Sequence, residues 1–226
     1  MFLQVLAFLY PALLATVVFS AIHSWLGIRL LDRGAAFPAL ALAQLAALGT
    51  AVGARFGFSP YIGALVLAIA GAAVFTFHRH DTLVAVVYVV SAAATLLFLG
   101  GAPLNGDLLS VRVRTIALIA IVYIAVAFVR RESLLFFALA IVLTSSVHIA
   151  GVLLAFTYLV VPPLVSRRFA IAWPFAALLS ATGILLAFKL DQPTALTMVC
   201  TFGVVGGVVM GARRSLNGAE APSPPQ

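Results

Sequence analysis

Nine apolar segments, separated by short polar or glycine- and proline-containing breaks, dominate this sequence. Of its 226 residues, 64% are hydrophobic and 8% are charged, which is too few charges to cover the surface of a water-soluble domain. A helix needs about 20 apolar residues to cross a bilayer. The pattern therefore predicts an all-α membrane helical bundle with about nine transmembrane helices. The net charge of +7 comes without a long basic run, so we expect no nucleic-acid partner.

The predicted spans cover residues 3–28, 37–56, 60–77, 82–100, 112–129, 133–147, 150–166, 170–189 and 194–212. The two segments between 133 and 166 are short, so a single kinked helix is an alternative to the two helices that we prefer, which meet between His148 and Gly151. We expect residues 1–214 to form one transmembrane domain. Residues 215–226 are polar and proline-rich, which predicts a disordered tail.

Basic residues divide unevenly between the two ends of this predicted bundle. One end collects Arg29, Arg33, Arg79, Arg130, Arg131, Arg167, Arg168, Arg213 and Arg214. The other end collects Arg55, Arg112, Arg114 and Lys189. Because positively charged loops stay on the cytoplasmic side, the first end is predicted to be cytoplasmic. The N-terminus then lies outside and the C-terminus inside.

The stretch HIAGVLLAFTYLVVPPLVSRRFA, residues 148–170, contains two predicted breaks. Gly151 is the first. Pro162 and Pro163 form the second, because each lacks a backbone N–H and the preceding turn is expected to open. Irregular backbone at membrane depth is tolerated only where it is buried in protein or lines a cavity. A simple kink near a helix end is the alternative interpretation of the double proline.

Few ionisable or strongly polar side chains fall in or next to the predicted spans, and such groups point to function in a membrane protein. Three of them are candidates for a substrate pathway: Gln44 in the second span, His148 at the junction of the two short helices, and Asp191 in an outer turn. Asp191 has a local alternative, since Lys189 is two residues away. We interpret His23 as a packed, hydrogen-bonded histidine.

A possible metal site is indicated by FHRHD, which contains His78, His80 and Asp81, because imidazole and carboxylate groups bind Zn²⁺ and similar ions. A solvated cytoplasmic turn is the favoured interpretation of these three residues, and His148 is a fourth candidate ligand. The sequence contains neither HExxH nor GxxxxGK[ST]. We therefore expect no enzymatic activity in this chain, and any ATP hydrolysis must occur in another one.

Three short motifs occur in a characteristic order: NGDLLSV at 105–111, VHIAGVLLAFTYLVVPPLVSRRFA at 147–170 and KLDQPTAL at 189–196. Their order and spacing resemble those of the membrane permease subunit of ABC-type zinc, manganese and iron importers. The resemblance implies a multi-pass protein of the bacterial inner membrane. It also implies a homodimer that works with an ABC ATPase, which binds ATP, and with a periplasmic or lipid-tethered metal-binding protein. Zinc or manganese would be the transported substrate, with no intrinsic cofactor, and the broken 147–170 run would lie near the pathway.

Two departures from the family pattern accompany the resemblance. Family members commonly carry an aspartate and, four residues on, a histidine in the second span, where this chain has Ala39 and Ala43. The usual cytoplasmic coupling helix between the fifth and sixth helices is replaced by residues 130–132 alone, and three residues are fewer than one helical turn. An ATPase-independent metal channel, or a non-transporting scaffold on the same fold, is therefore the alternative function.

Overall fold

The computed structural model describes residues 2–78, 80–99, 108–129, 131 and 134–219, and all the regular secondary structure in this part of the chain is helical. The α-helices are α1 (Phe2–Leu31), α2 (Ala36–Phe56), α3 (Pro60–Phe77), α4 (Asp81–Leu99), α5 (Val113–Ala127), α6 (Leu135–Ala150), α7 (Val152–Val165), α8 (Phe169–Leu190) and α9 (Thr194–Ala219). A short 3-10 helix, Leu108–Ser110, precedes α5.

The prediction of an all-helical bundle is confirmed for these described residues. Five helices are long and apolar enough to cross a membrane: α1, α2, α3, α4 and α8. The apolar parts of α5, α6, α7 and α9 are shorter, so the layout with nine spans stays a prediction. α9 continues through Ala219, beyond Ser215 where we expected the tail to begin, and residues 220–226 lie outside the described part.

The chain between 133 and 166 forms two helices, as predicted, and they meet at Gly151. This glycine has φ 81° and ψ 164°, a backbone conformation that residues with a Cβ rarely adopt. A break in the helix at Pro162 and Pro163 is not seen, because α7 remains helical through both prolines and ends at Val165. The double proline lies in the last turn of α7, as the alternative of a proline pair near a helix end has it, and the two helices are separated at Gly151.

Close packing of α1 against α7 explains how the prolines are accommodated. Pro163 has no N–H to donate to the carbonyl oxygen of Leu159, four residues earlier. Gly27 of α1 lies against that oxygen, and a Cβ at Gly27 would also lie 2.8 Å from Cγ of Pro163. Only a glycine permits this approach, and Cα–H contacts to carbonyl oxygens are typical of such crossings.

Small residues have the same packing role between α2 and α3. Gly49 and Gly63 face each other so closely that a Cβ on either would meet the backbone of the other helix. The glycine-rich part of α9 differs: a Cβ added at Gly203, Gly207 or Gly211 would meet no described atom within 4 Å. Close backbone contact is therefore a property of the glycines between α2 and α3 and not of these three glycines.

Two long-range contacts fix which helix ends lie together. Arg167, in the turn after α7, forms an ion pair with Asp32, in the turn after α1, at 3.0 Å. Arg29, near the end of α1, donates a hydrogen bond to the carbonyl of Val129, which follows α5, at 2.8 Å. The ends of α1, α5 and α7 therefore share one end of the bundle, which agrees with the predicted grouping of the basic residues.

Candidate functional site

The two helices of the hairpin formed by α6 and α7 are shorter than the hydrocarbon core of a bilayer is thick. The helices have 16 and 14 residues, or about 24 and 21 Å at a rise of about 1.5 Å per residue, compared with a hydrocarbon thickness of about 30 Å. The hairpin starts and ends at the basic end of the bundle and turns at Gly151. Ala150 and Gly151 are buried, which is the condition for irregular backbone at membrane depth.

A cavity of about 260 Å³ lies beside this tip. Its polar lining comes from the start of α3 with Tyr61, the first turn of α5 with Thr115, and the last turns of α6 with Ser145 and His148. The apolar lining consists of Leu118, Ile119, Val122 and Ile149. The His148 side chain is exposed, so its imidazole is available to a solute that enters from the non-basic end of the bundle.

A buried polar network lies next to the cavity and begins at His23. This side chain is fully buried, with Nδ1 2.8 Å from the carbonyl oxygen of Phe19 and Nε2 3.1 Å from Oγ of Ser146. In the neutral ring only one nitrogen carries a proton. Because the carbonyl of Phe19 can only accept, Nδ1 donates to it and Nε2 is left as an acceptor. The single hydroxyl proton of Ser146 lies within reach of both Nε2 and the carbonyl of Val142, which is 2.8 Å away. The interpretation of His23 as a packed, hydrogen-bonded histidine is confirmed.

The neighbouring serine extends the network towards the cavity. The Tyr123 hydroxyl of α5 lies 2.8 Å from Oγ of Ser145, and both residues are buried. Ser145 also lines the cavity, so one residue joins the cavity wall to the buried network. The ring centroids of His23 and Tyr123 are 6.4 Å apart in an edge-to-face arrangement. Helices α1, α5 and α6 are thereby connected through four side chains.

A second buried pair connects α7 to α8. The Tyr158 hydroxyl lies 2.7 Å from Oγ of Ser180, and the Tyr158 ring packs edge-to-face on Phe202 of α9, with centroids 5.3 Å apart. Its centroid also lies 6.1 Å from that of His23. Next to His23, the buried hydroxyl of Ser24 has no hydrogen-bond partner among the described residues. Sequence reasoning missed these serines and tyrosines, although TSSVH at 144–148 places three hydroxyls in an apolar run.

The three predicted pathway residues lie in different surroundings. His148 lines the cavity. Gln44 is half-buried in α2, next to Ala43, which like Ala39 is fully buried. Asp191 lies in the exposed turn after α8 with φ 52°, and its backbone N–H donates to the carbonyl of Ala187. Of the three, only His148 lines this cavity, while the backbone of Asp191 ends a helix.

No three-ligand metal site is formed by the described residues. Groups of three or more His, Cys, Asp or Glu side chains that are placed to hold a metal ion are absent from this part of the chain. His78, His80 and Asp81 are described but do not come together as such a group, and Arg79 lies outside the description. Hydroxyl side chains share the cavity with His148, and none of the residues that line it is Asp or Glu.

Neither a protein-family model nor a curated protein matches the sequence. Among solved structures, the fold is similar to that of PsaBC from Streptococcus pneumoniae in complex with Fab, with a TM-score of 0.75 at 16% sequence identity. The match covers 92% of this chain and 94% of that chain. A likeness over nearly the whole of both chains at this identity establishes a shared fold.

Proposed function

We propose that this chain is the transmembrane permease subunit of an ABC-type divalent metal importer, powered by a separate ATPase chain. The observation that carries the proposal is the fold shared with PsaBC over nearly the full length of the chain, which supports a transporter permease role. The ordered motifs at 105–111, 147–170 and 189–196 support the same assignment independently. The chain is proposed to lie in the bacterial inner membrane as a homodimer, with its basic end in the cytoplasm.

The proposed entry to the substrate pathway is the cavity beside the Gly151 hairpin tip. A divalent cation, zinc or manganese, would arrive from a periplasmic or lipid-tethered binding protein and meet the His148 imidazole and the Ser145 and Tyr61 hydroxyls. Imidazole suits Zn²⁺, whereas Mn²⁺ prefers oxygen ligands, and neutral hydroxyl groups bind either ion weakly. Weak, mixed ligation favours transit over storage, because a transported ion has to leave again. Gln44 and Asp191 are proposed as further polar points on the route.

The chain itself is proposed to have no catalytic centre and no resident cofactor. ATP would be bound and hydrolysed by the partner chain. α5 ends at Ala127 and α6 begins at Leu135, so residues 128–134 connect them, more than the three residues predicted. Seven residues amount to about two helical turns and leave little room for the usual docking helix. We propose instead that the ATPase contacts the turn from His78 to Asp81, which connects α3 and α4 at the basic end.

A second candidate function is supported by Ala39 and Ala43. Both are fully buried, and a methyl group cannot bind a divalent cation. Together with the short connection between α5 and α6, this favours an ATPase-independent metal channel or a non-transporting scaffold built on the permease fold. In both alternatives the chain has the permease fold but works without ATP hydrolysis by a partner chain.

Purification of the tagged chain from its native membranes separates the two candidates. The proposal expects a nucleotide-binding protein to co-purify in a fixed stoichiometry and to be lost when the turn from His78 to Asp81 is replaced by a glycine-serine turn of the same length. A matched replacement of the turn from Asp191 to Pro193, at the opposite end, is expected to leave it bound. Absence of any such protein, under conditions where an established importer retains its ATPase, would instead support the channel or scaffold.

A further inference from the structure

An open apolar groove of about 570 Å³ lies between α1, α5 and α8, with none of the residues that line the His148 cavity. Its walls include Val17, Ile22, Trp25, Ala120, Ile124 and Trp173. No charged residue lines it, and the Tyr123 hydroxyl is occupied by Ser145. The groove therefore offers hydrocarbon contact and no polar partner along its length.

Contacts within the protein keep two walls of the groove in place. The indole N–H of Trp173 donates to the carbonyl of Val17 at 3.2 Å, which ties α8 to α1. The Phe169 ring stacks on the Trp173 ring, with centroids 5.7 Å apart and an interplanar angle of 14°. Because these contacts fix the indole, the groove is a preformed feature. Preformed apolar concavities bind ligands with little ordering cost.

One mouth of the groove is positively charged. The Arg29 guanidinium lies 4.6 Å from the centroid of the Trp25 ring, one helical turn beyond the groove lining. Arg168 is exposed and directly precedes Phe169 of the groove, and the exposed Arg131 follows the α5 segment that lines it. Of the acidic residues described at this end, Asp32 is paired with Arg167, and Asp81 begins α4, which does not line the groove. The mouth therefore presents the exposed guanidinium groups of Arg131 and Arg168 to an entering ligand.

We propose that this groove binds an acyl chain of an anionic phospholipid, with its phosphate group held near Arg131 and Arg168. From Val17 to Trp25 the groove extends about 12 Å along α1, at about 1.5 Å per residue, which fits within one leaflet of a hydrocarbon core about 30 Å thick. Basic pockets between helices on the cytoplasmic side bind anionic headgroups. The apolar walls alone would accept the acyl chain of any lipid, and the arginines favour lipids with an anionic headgroup.

This site lies apart from the proposed metal route and does not depend on transport. Trp25 and Trp173 are also the two tryptophans of the chain, so tryptophan fluorescence reports on this groove directly. The test places the purified full-length protein in phosphatidylcholine vesicles that contain an equal small fraction of either brominated phosphatidylglycerol or brominated phosphatidylcholine. Bromine quenches an indole only at contact. We expect clearly stronger quenching by the brominated phosphatidylglycerol, by about fivefold in relative affinity for each arginine that contributes.

Two pairs of variants, each with a matched control, test whether the lipid preference arises at this groove. Arg168→Gln is expected to reduce the preference for phosphatidylglycerol, whereas Arg55→Gln, an exposed arginine at the opposite end of the bundle, leaves it unchanged. Ala120→Phe fills the groove and is expected to reduce quenching by both lipids, whereas Leu178→Phe, on an exposed surface of α8, does not. Thermal unfolding in detergent shows whether each variant is folded.

Equal quenching by the two brominated lipids would overturn the proposal, as would equal effects of Arg168→Gln and Arg55→Gln. Quenching by neither lipid, with a dimer seen by size-exclusion chromatography, would assign the groove to a second copy of the chain and would also overturn it.

Discussion

Nε2 of His23 lies 3.1 Å from Oγ of Ser146, and this hydrogen bond joins α1 to α6 across 123 positions of sequence. Ser146 is five residues before Gly151, so the bond lies within α6 near the hairpin tip. The bond holds α1 against the part of α6 where Ser145, the neighbour of Ser146, lines the His148 cavity. Any movement of the hairpin relative to α1 must therefore break this bond or move His23 together with Ser146.

The His23–Ser146 bond is expected to contribute a measurable coupling energy. In a double-mutant cycle with His23→Phe and Ser146→Ala, the coupling should be about 0.6–1.5 kcal/mol, in the range measured for side-chain hydrogen bonds in proteins and membranes. Unfolding of the four proteins in mixed micelles gives this value. A cycle with His23→Phe and Ser91→Ala, whose hydroxyl bonds within α4, serves as the control and should be additive. Additivity in both cycles would show that the bond contributes nothing.

Gly151 is expected to tolerate no side chain. Its φ of 81° with ψ of 164° is essentially restricted to glycine, and a Cβ there costs about 1–3 kcal/mol. Gly151→Ala should therefore lower the unfolding free energy by about that amount. Gly203→Ala, in open space within α9, is the matched control and should be neutral or slightly stabilising, since alanine favours a helix over glycine. Equal stability of the two variants would contradict the assigned backbone.

The crossing of α1 and α7 gives a separate prediction at Gly27. A methyl group there would meet the carbonyl oxygen of Leu159 and the Pro163 ring, and backbone has little freedom to move away. Gly27→Ala should lower the unfolding free energy by about 1–3 kcal/mol, as overpacking of a core does. Gly207→Ala, which meets no described atom within 4 Å, should not. An unchanged unfolding midpoint for Gly27→Ala would show that α1 and α7 are further apart than described.

The His148 cavity is expected to open away from the cytoplasm. In a Cys200→Ala background, which removes the exposed native cysteine, His148→Cys should react with a membrane-impermeant maleimide added from the outside. Leu143→Cys, fully buried in the same helix, should stay unlabelled. Reaction of His148→Cys only from the cytoplasmic side would show that the proposed orientation is wrong. A labelling rate no higher than that of Leu143→Cys would show that the cavity is closed to solvent.

Local sequence signals predicted the helix bounds well where a breaker residue marks them. The second predicted span, 37–56, matches α2 to within one residue, and Gly57 ends it with φ 77°. The third span starts at Pro60, the expected first residue of a helix. Gly151 was recognised for the same reason, because a glycine break depends on the residue itself.

The double proline and the polar network were not predictable in this way. Pro162 and Pro163 stay helical where Gly27 of α1 packs against α7, and that neighbour is more than 130 residues away in the chain. The bond between His23 and Ser146 likewise depends on how α1 and α6 are placed together. Periodicity and composition describe each helix separately, so they contain no information on such pairings.

Metal uptake into proteoliposomes that contain the purified chain, its co-purifying ATPase and the binding protein tests the central claim most directly. The account predicts uptake of zinc or manganese that requires ATP hydrolysis. The uptake rate should fall by at least about tenfold in the double variant Gln44→Ala with His148→Ala, which corresponds to about 1.4 kcal/mol in the activation free energy of transport. Arg55→Ala is the control and should transport normally. Uptake that proceeds at the same rate without ATP, or no uptake of either metal by the complete assembly, would contradict it.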